Sequence, residues 1–280
     1  MIAALVLAGG TLPPELVPFA DGATNRALIR VGPGGETMLD LVVGAVRSGM
    51  RSHDGGAGRI LVAGDVPLPA GCVAVSGGKS LVETMMNGAK ALRADETSLL
   101  IATADAPFLT GEAIADFLAL SDAVQPTPFT FPIIDAVRCL AAFPGMKRTK
   151  LRIAEGEFTG GNLALLNPEF LRSSEAAIRD AYANRKDIFG LARMLGGEII
   201  ARLVLSRMVP SLLGIRHIEA AVGSLLHSSN PRAVITSFPE IGADVDRAED
   251  ISIARQILAD KQRNPAPFDE SGFGAYNPHK

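Results

Sequence analysis

The feature that most constrains the fold is a continuous apolar segment near the start of the chain. Residues Ile2 to Ala8 (IAALVLA) carry no polar side chain, and the segment ends at Gly9-Gly10. A strand with one face in water alternates apolar and polar residues, so an unbroken apolar run predicts a strand that is buried on both faces. Such a strand belongs to a sheet with helices on both sides.

Similar short apolar runs recur along the chain, and segments with helical periodicity lie between them. The predicted strands are Ile2–Ala8, Arg59–Ala63, Ser98–Ala102 and Ala233–Thr236. The predicted helices are Met38–Ser48, Leu81–Leu92, Glu112–Leu120 and Glu249–Leu258. This alternation predicts an α/β fold with a mostly parallel central sheet, in which ligands bind beyond the carboxyl ends of the strands.

The middle of the chain is less regular. Pro126–Arg152 is rich in prolines and basic residues and is predicted to be irregular, whereas Phe158–Leu166 is predicted to be a strand. We expect a helical insertion at about 173–226 within a single domain of residues 1–262. The remaining residues, 263–280, have several prolines and glycines and no periodicity, which predicts a disordered tail.

Apolar residues recur at helical spacing within the insertion, on both sides of a break at Pro210. This stripe predicts packing either against the core of the same chain or against a second copy in a homodimer, and the pattern leaves both open. Its members are Ile199, Ile200, Leu203, Val204, Leu212, Ile215, Ile218, Val222 and Leu225.

Composition excludes several classes of protein. Hydrophobic residues make up 48% of the chain, which is enough for a sizeable core. The net charge of −3 and the lack of a long basic run argue against nucleic-acid binding. The two cysteines are too few for a disulfide framework, and no apolar run reaches the ~18–20 residues of a membrane span. We therefore expect a cytoplasmic protein that binds neither nucleic acid nor membrane.

Two glycine pairs follow or precede predicted elements. Gly9-Gly10 follows the first strand, and Gly77-Gly78 precedes the helix that contains Thr84. Without a Cβ, a glycine lets the backbone approach a base or a phosphate closely. Ordinary turns are the alternative for both pairs. A third pair, in Thr159-Gly160-Gly161-Asn162, suits close approach to a ligand or a bulge.

Acidic residues follow two of the predicted strands. Asp105 comes just after Ser98–Ala102, and Asp244 and Asp246 follow the last strand on the same side of an extended segment. A carboxylate at a strand end can ligate a hard cation, and either Asp244 or Asp246 could complete the site. Glu249 and Asp250 suit the first turn of the next helix instead.

Taken in order, five segments resemble the MobA-like NTP transferases, a group that includes molybdopterin guanylyltransferase, the cytidylyltransferase of isoprenoid synthesis and sugar-phosphate nucleotidyltransferases. The resemblance spans residues 1 to about 260. Its segments are LAGG at 7–10, NRALIRVG with ETMLD at 25–40, GGKSLVETMMNG at 77–88, TADAP at 103–107 and DVDRAEDI at 244–251.

The resemblance implies a nucleotide-diphospho-sugar transferase-like three-layer α/β/α sandwich. It places Arg26 at the family's lysine position, facing the phosphates. It assigns Mg²⁺ to Asp105 and Asp246, with Asp246 preferred over Asp244. The acceptor side is assigned to Thr159, Gly160, Gly161 and Asn162. The nucleotide base and ribose are assigned to Leu7, Ala8, Gly9, Gly10, Gly77, Gly78 and Thr84.

The implied activity is Mg²⁺-dependent transfer of NMP from an NTP to a phosphorylated small-molecule acceptor, with release of pyrophosphate. The loop after Gly10 (TLPPELVPFADGATNR) departs from the family because it is longer and lacks the signature arginine. A degenerate, non-catalytic nucleotide-binding protein is therefore the alternative. A nucleotide-sugar glycosyltransferase is a weaker alternative, because its Asp-x-Asp motif is expected where this chain has Asp105-Ala-Pro107.

Overall fold

A computed structural model describes residues 1–55, 58–184, 197–206, 208–227 and 230–263. The strands in this part of the chain are β1 (Ile2–Leu7), β2 (Ile60–Ala63), β3 (Cys72–Val75), β4 (Ser98–Thr103), β5 (Phe129–Asp135), β6 (Leu151–Ile153), β7 (Gly156–Gly160), β8 (Leu163–Leu166) and β9 (Arg232–Thr236). The helices are α1 (Met38–Asp54), α2 (Leu81–Lys90), α3 (Gly111–Ala123), α4 (Ala136–Ala142), α5 (Pro168–Ser173), α6 (Glu175–Ala183), α7 (Gly197–Ser206), α8 (Ile215–Leu225) and α9 (Ala248–Arg263).

All the described strands belong to one sheet. The order β3-β2-β1-β4 is parallel, β8 runs antiparallel between β4 and β5, and β9 pairs in parallel with the other side of β5. The strands β1 to β5 and β9 therefore all run in one direction. This confirms the predicted α/β fold with a mostly parallel central sheet.

The first strand is buried on both faces, as its sequence predicts. Ala4 and Val6 belong to one core cluster, and Ala3 and Leu5 belong to another. The first cluster includes buried residues of α1, α3 and α9, and the second includes residues of α2, α5, α6 and α8. Two helical layers thus enclose the sheet, which gives the three-layer sandwich.

Helix starts follow local capping chemistry. The side chain of Thr110 accepts a hydrogen bond from the Ala113 N–H at 3.1 Å and caps α3. At the start of α9, the Asp250 carboxylate accepts from the Arg247 N–H at 3.0 Å. The structural role predicted for Asp250 therefore agrees with the structure.

The middle of the chain is more regular than its prolines suggest, and here two predictions are wrong. Pro126–Arg152 contains β5, α4 and the start of β6. The predicted strand Phe158–Leu166 is divided between β7, which starts two residues earlier, and β8. The division falls at Gly161, where a Cβ would lie 2.7 Å from the Pro132 side chain. Pro132 lies between the part of β5 that pairs with β8 and the part that pairs with β7. Because the antiparallel ladder is interrupted there, β5 tolerates a proline, which has no N–H to donate.

The helical insertion packs mainly on its own chain. Val222 and Leu225 of α8 pack against the second core cluster. Four other members of the predicted apolar stripe pack against a small separate cluster: Ile199, Leu203, Ile215 and Ile218. Val204 and Leu212 are exposed to 57% and 37%, so these two do not pack inside this chain, and contact with a second copy stays open for them. Of the predicted tail, residues 264–280 lie outside the described residues.

In the described part of the chain, no helix has the length and apolar character needed to cross a membrane.

Candidate active site

The carboxyl ends of β1 and β4 meet at one edge of the sheet. Leu7 pairs with Thr103 in the parallel register, and the Ala104 N–H donates to the Leu7 carbonyl at 3.1 Å. This register places Gly9-Gly10 beside Asp105. The Asp105 carbonyl accepts from the Val245 N–H at 2.8 Å, which brings the segment after β9 to the same place.

Three carboxylates form an acidic cluster at this edge: Asp105, Asp244 and Asp246. Each offers an oxygen within 4.8 Å of the others. The structure thus brings together the two predicted ligands, Asp105 and Asp246, and also the second choice, Asp244. The Asp105 Oδ1 atom is buried and has no hydrogen-bond partner among the described residues.

Arg26 bridges two members of the acidic cluster. Its guanidinium donates one hydrogen bond to Asp246 Oδ1 and another to Asp105 Oδ2, each at 2.5 Å. The buried side chain of Asn25 fixes this position, because its Nδ2 donates to the Ala8 carbonyl at 2.7 Å and its Oδ1 accepts from the Ala27 N–H at 2.8 Å. Asn25 therefore ties Arg26 to the glycine loop, a role that the sequence analysis missed.

Arg148 is a second functional candidate that sequence reasoning missed. It donates to Asp244 Oδ1 at 2.5 Å and to the Asp244 carbonyl at 3.1 Å, and only 8% of its side chain is exposed. Burial raises the pKa of Asp244 to about 7; Arg148 opposes this shift, and the Asp246 and Asp105 carboxylates add to it. Among the described residues, the three carboxylates of the cluster are paired with only two arginines.

The donor set of the acidic cluster fits Mg²⁺. Hard divalent cations bind carboxylate oxygens, and the oxygens of this cluster are close enough to share one ion. The unpartnered Asp105 Oδ1 offers an acceptor that no protein group uses among the described residues. Burial is the main cause of the raised pKa of Asp244, and a cation here would offset the carboxylate repulsion that adds to it.

A glycine-lined cleft of about 470 Å³ opens on one side of Asp105. Of the seven residues predicted to contact the nucleotide, Leu7, Gly9, Gly10, Gly78 and Thr84 line it, but Ala8 and Gly77 do not. The remaining lining residues in the described chain are Arg26, Lys79, Ser80, Leu81, Thr103, Asp105 and Tyr182. Tyr182 comes from the helical insertion and carries no sequence signal for this role.

The predicted residue Thr84 shapes the loop that lines this cleft. Its hydroxyl accepts from the Gly78 N–H at 2.9 Å and donates to the Ser80 carbonyl at 2.9 Å. A Cβ at Gly78 would lie 2.5 Å from Glu83 Cβ, so this position requires glycine for close packing. Thr84 therefore holds the glycine turn against α2.

A cation-lined cleft of about 640 Å³ opens on the other side of the acidic cluster. The predicted acceptor residues Thr159, Gly160, Gly161 and Asn162 all line it, together with Asp244 and Asp246. Its basic side chains are Lys147, Arg148 and Arg247, and Thr149 adds a hydroxyl beside that of Thr159. The acidic cluster thus stands between the two clefts.

Solved structures of other proteins resemble this chain, and one of them is also similar to it in sequence. A hypothetical transferase from Thermus thermophilus is 30% identical, with a TM-score of 0.75 over 90% of this chain and 100% of that chain. No protein-family model matches the chain, and no curated protein is significantly similar to it in sequence.

Two more distant structures share the fold. The 2-C-methyl-D-erythritol 4-phosphate cytidylyltransferase of Thermus thermophilus is 15% identical, with a TM-score of 0.51 over 92% of this chain and 100% of that chain. CMP:2-keto-3-deoxy-manno-octonic acid synthetase, solved with CTP, is 12% identical, with a TM-score of 0.52 over 93% and 99%. The chain therefore belongs to the family of the Thermus thermophilus transferase, and the two more distant structures share its fold.

Proposed function

We propose that this protein is an Mg²⁺-dependent, MobA-like nucleotidyltransferase that transfers NMP from an NTP to a phosphorylated acceptor and releases pyrophosphate. The observation that carries the proposal is the position of the acidic cluster between the glycine-lined and cation-lined clefts. Two substrates that bind in these clefts would meet at Asp105 and Asp246. The two distant structures, both named for cytidylyl chemistry, support this assignment.

The glycine-lined cleft suits the nucleotide. A Cβ at Gly9 would meet no atom closer than 3.9 Å in the structure, so the space that the glycine leaves is open to a ligand. Backbone N–H groups in such a loop can approach a base or a phosphate. Arg26 lies in the same cleft, where its guanidinium can exchange its carboxylate partners for the NTP phosphates.

The cation-lined cleft suits a phosphorylated acceptor. Arg148 is engaged with Asp244, but neither Lys147 nor Arg247 makes an ion pair with another described residue. These two cations are therefore available to an anionic group. A phosphate held there lies next to the acidic cluster, on the side opposite the glycine loop.

The reaction needs no protein nucleophile. An acceptor phosphate oxygen forms a bond to the α-phosphorus, the bond from that phosphorus to the bridging α–β oxygen breaks, and pyrophosphate leaves with the electron pair. Held by Asp105 and Asp246, Mg²⁺ would supply Lewis-acid stabilisation of the charge on the phosphate oxygens. The protein's own residues bind and align the two substrates, which accounts for much of the rate in phosphoryl-type transfers.

Pyrophosphate release tests the proposal directly. Each of the four NTPs would be assayed against a panel of phosphorylated acceptors, and we expect Mg²⁺-dependent release with at least one pair. Asp246→Asn should abolish the release because it removes a carboxylate ligand of the proposed Mg²⁺. The side chain of Asp246 is exposed, so the fold should survive the change. Asp180→Asn, on the exposed surface of α6, is the matched control.

Three outcomes discriminate between the alternatives. Release that Asp246→Asn leaves at the wild-type rate contradicts the metal assignment. Saturable NTP binding without release across the panel favours the non-catalytic nucleotide-binding protein. The absence of both pyrophosphate release and NTP binding across the panel refutes nucleotide chemistry at this site.

A further inference from the structure

A third space adjoins the two clefts, and we propose that it binds an apolar group of the acceptor. This apolar cavity has a volume of about 430 Å³ and lies between the sheet and the helices α2, α5 and α6. The inference rests on the proposed function and narrows its substrate class to an amphipathic phosphorylated acceptor. The bulk of its wall is built from Leu81, Met85, Ile101, Phe129, Phe170 and Ile178.

The apolar cavity is continuous with both substrate clefts. It shares Leu7, Leu81, Thr103 and Tyr182 with the glycine-lined cleft, and it shares Gly161 and Asn162 with the cation-lined cleft. Its mouth is therefore at the junction where the two substrates would meet. A molecule with its phosphate near the acidic cluster could place its remaining part in this cavity.

Thr103 marks the mouth of the cavity with an unused polar atom. Its Oγ1 is buried and has no hydrogen-bond partner among the described residues, although the Thr103 N–H donates to the Asn162 carbonyl at 3.2 Å. A buried hydroxyl without a partner destabilises the folded protein. A polar atom of a bound ligand would satisfy this hydroxyl, which is the second observation that points to an occupant.

The chemistry of the wall decides what the occupant is. None of the cavity's lining residues in the described chain is charged, and the polar groups are confined to the mouth. The hydroxyls of a sugar would lose their hydrogen bonds to water against such a wall, which is costly. Transfer of a hydrocarbon group from water into this cavity is favourable. The volume of the cavity lies in the range of small-molecule pockets.

Alkyl monophosphates of increasing chain length are the probe for this site. Ethyl, butyl and hexyl phosphate would be titrated into the full chain by calorimetry in the presence of Mg²⁺. We expect the affinity to rise about fourfold for each methylene that is buried. Ala181→Leu fills the cavity from α6 and should remove the dependence on chain length, and Leu81→Phe fills it from α2.

The control is Ala176→Leu, the same change on the exposed surface of α6, which should bind the series as wild type does. An affinity that does not depend on chain length in the wild type overturns the inference. An unchanged dependence in folded Ala181→Leu and Leu81→Phe also overturns it. Binding of Mg-NTP is measured in the same variants, and its absence from the wild type would count against the proposed function and not against the cavity.

Discussion

Alanine at Gly9 separates a ligand-binding role of the glycine loop from a purely structural one. Gly9 has no positive φ, and a Cβ there would lie 3.9 Å from its nearest neighbour, the Ala63 carbonyl oxygen. Because the backbone already suits alanine, the change should raise the free energy of unfolding by ~0.4–1 kcal/mol through the unfolded state. In a chain of this size, that corresponds to an increase in Tm of roughly 1–4 °C.

The same change should weaken nucleotide binding. If the base or ribose approaches the Gly9 backbone, the added methyl group occupies that contact, and we expect at least a tenfold higher Kd, or ~1.4 kcal/mol. Thermal unfolding and calorimetry with Mg-NTP would measure the two effects on one sample. They should have opposite signs, which a damaged fold cannot produce.

Gly44→Ala is the matched control. Gly44 lies on the exposed side of α1, and a Cβ there meets nothing within 4 Å. This variant should gain ~1 kcal/mol of stability from helix propensity and leave the Kd for the nucleotide unchanged. Gly9→Ala that binds Mg-NTP as tightly as the wild type would refute the reasoning, and the glycines would then only turn the chain.

Further variants test the site and its support. Arg26→Ala should lower kcat/KM in the pyrophosphate assay, whereas Arg26→Lys, which restores the residue of the resembling family, should retain activity; equal losses would make the guanidinium geometry essential. Asp246→Ala should cost more activity than Asp244→Ala, and the reverse order would exchange the second ligand. Gly49→Ala should destabilise the protein by ~2 kcal/mol in urea unfolding, because its Cβ would lie 2.6 Å from Ile114 Cβ, and a wild-type midpoint would show that α1 and α3 can separate freely. The hydrogen bond from Arg59 lowers the pKa of Glu96, so the stabilisation is present above the ordinary pKa of 4.5 and is lost as the pH falls through the lowered pKa of the folded state. Glu96→Gln should therefore cost ~2 kcal/mol at neutral pH and less in acid, and a pH-independent difference would contradict this coupling.

The sequence predicts the parts of the fold that local chemistry decides. The apolar run in β1 and the acidic first turn of α9 each carry their signal within a few positions. Asp105 could be predicted because a carboxylate at the end of a buried strand has a fixed place in a parallel sheet. These predictions need only periodicity, capping and topology.

Other parts depend on contacts between distant positions and leave no local pattern. Arg148 pairs with Asp244 across 96 positions, and nothing in its proline-rich surroundings distinguishes it from a surface arginine. Pro132 indicates a loop when only the sequence is considered. A strand there becomes understandable only from the interrupted pairing of β5 with β7 and β8. Tyr182 reaches the glycine-lined cleft only because the insertion folds back over the sheet.

The most direct test of the central claim is calorimetric titration of each NTP with and without Mg²⁺, for the wild type and for Asp105→Asn. The change keeps the shape of a side chain that is 15% exposed, so the fold should be retained. We predict that at least one NTP binds the wild type more tightly with Mg²⁺ and that Asp105→Asn loses this Mg²⁺-dependent gain. The same gain in folded Asp105→Asn would contradict a metal-assisted nucleotide site at the end of β4.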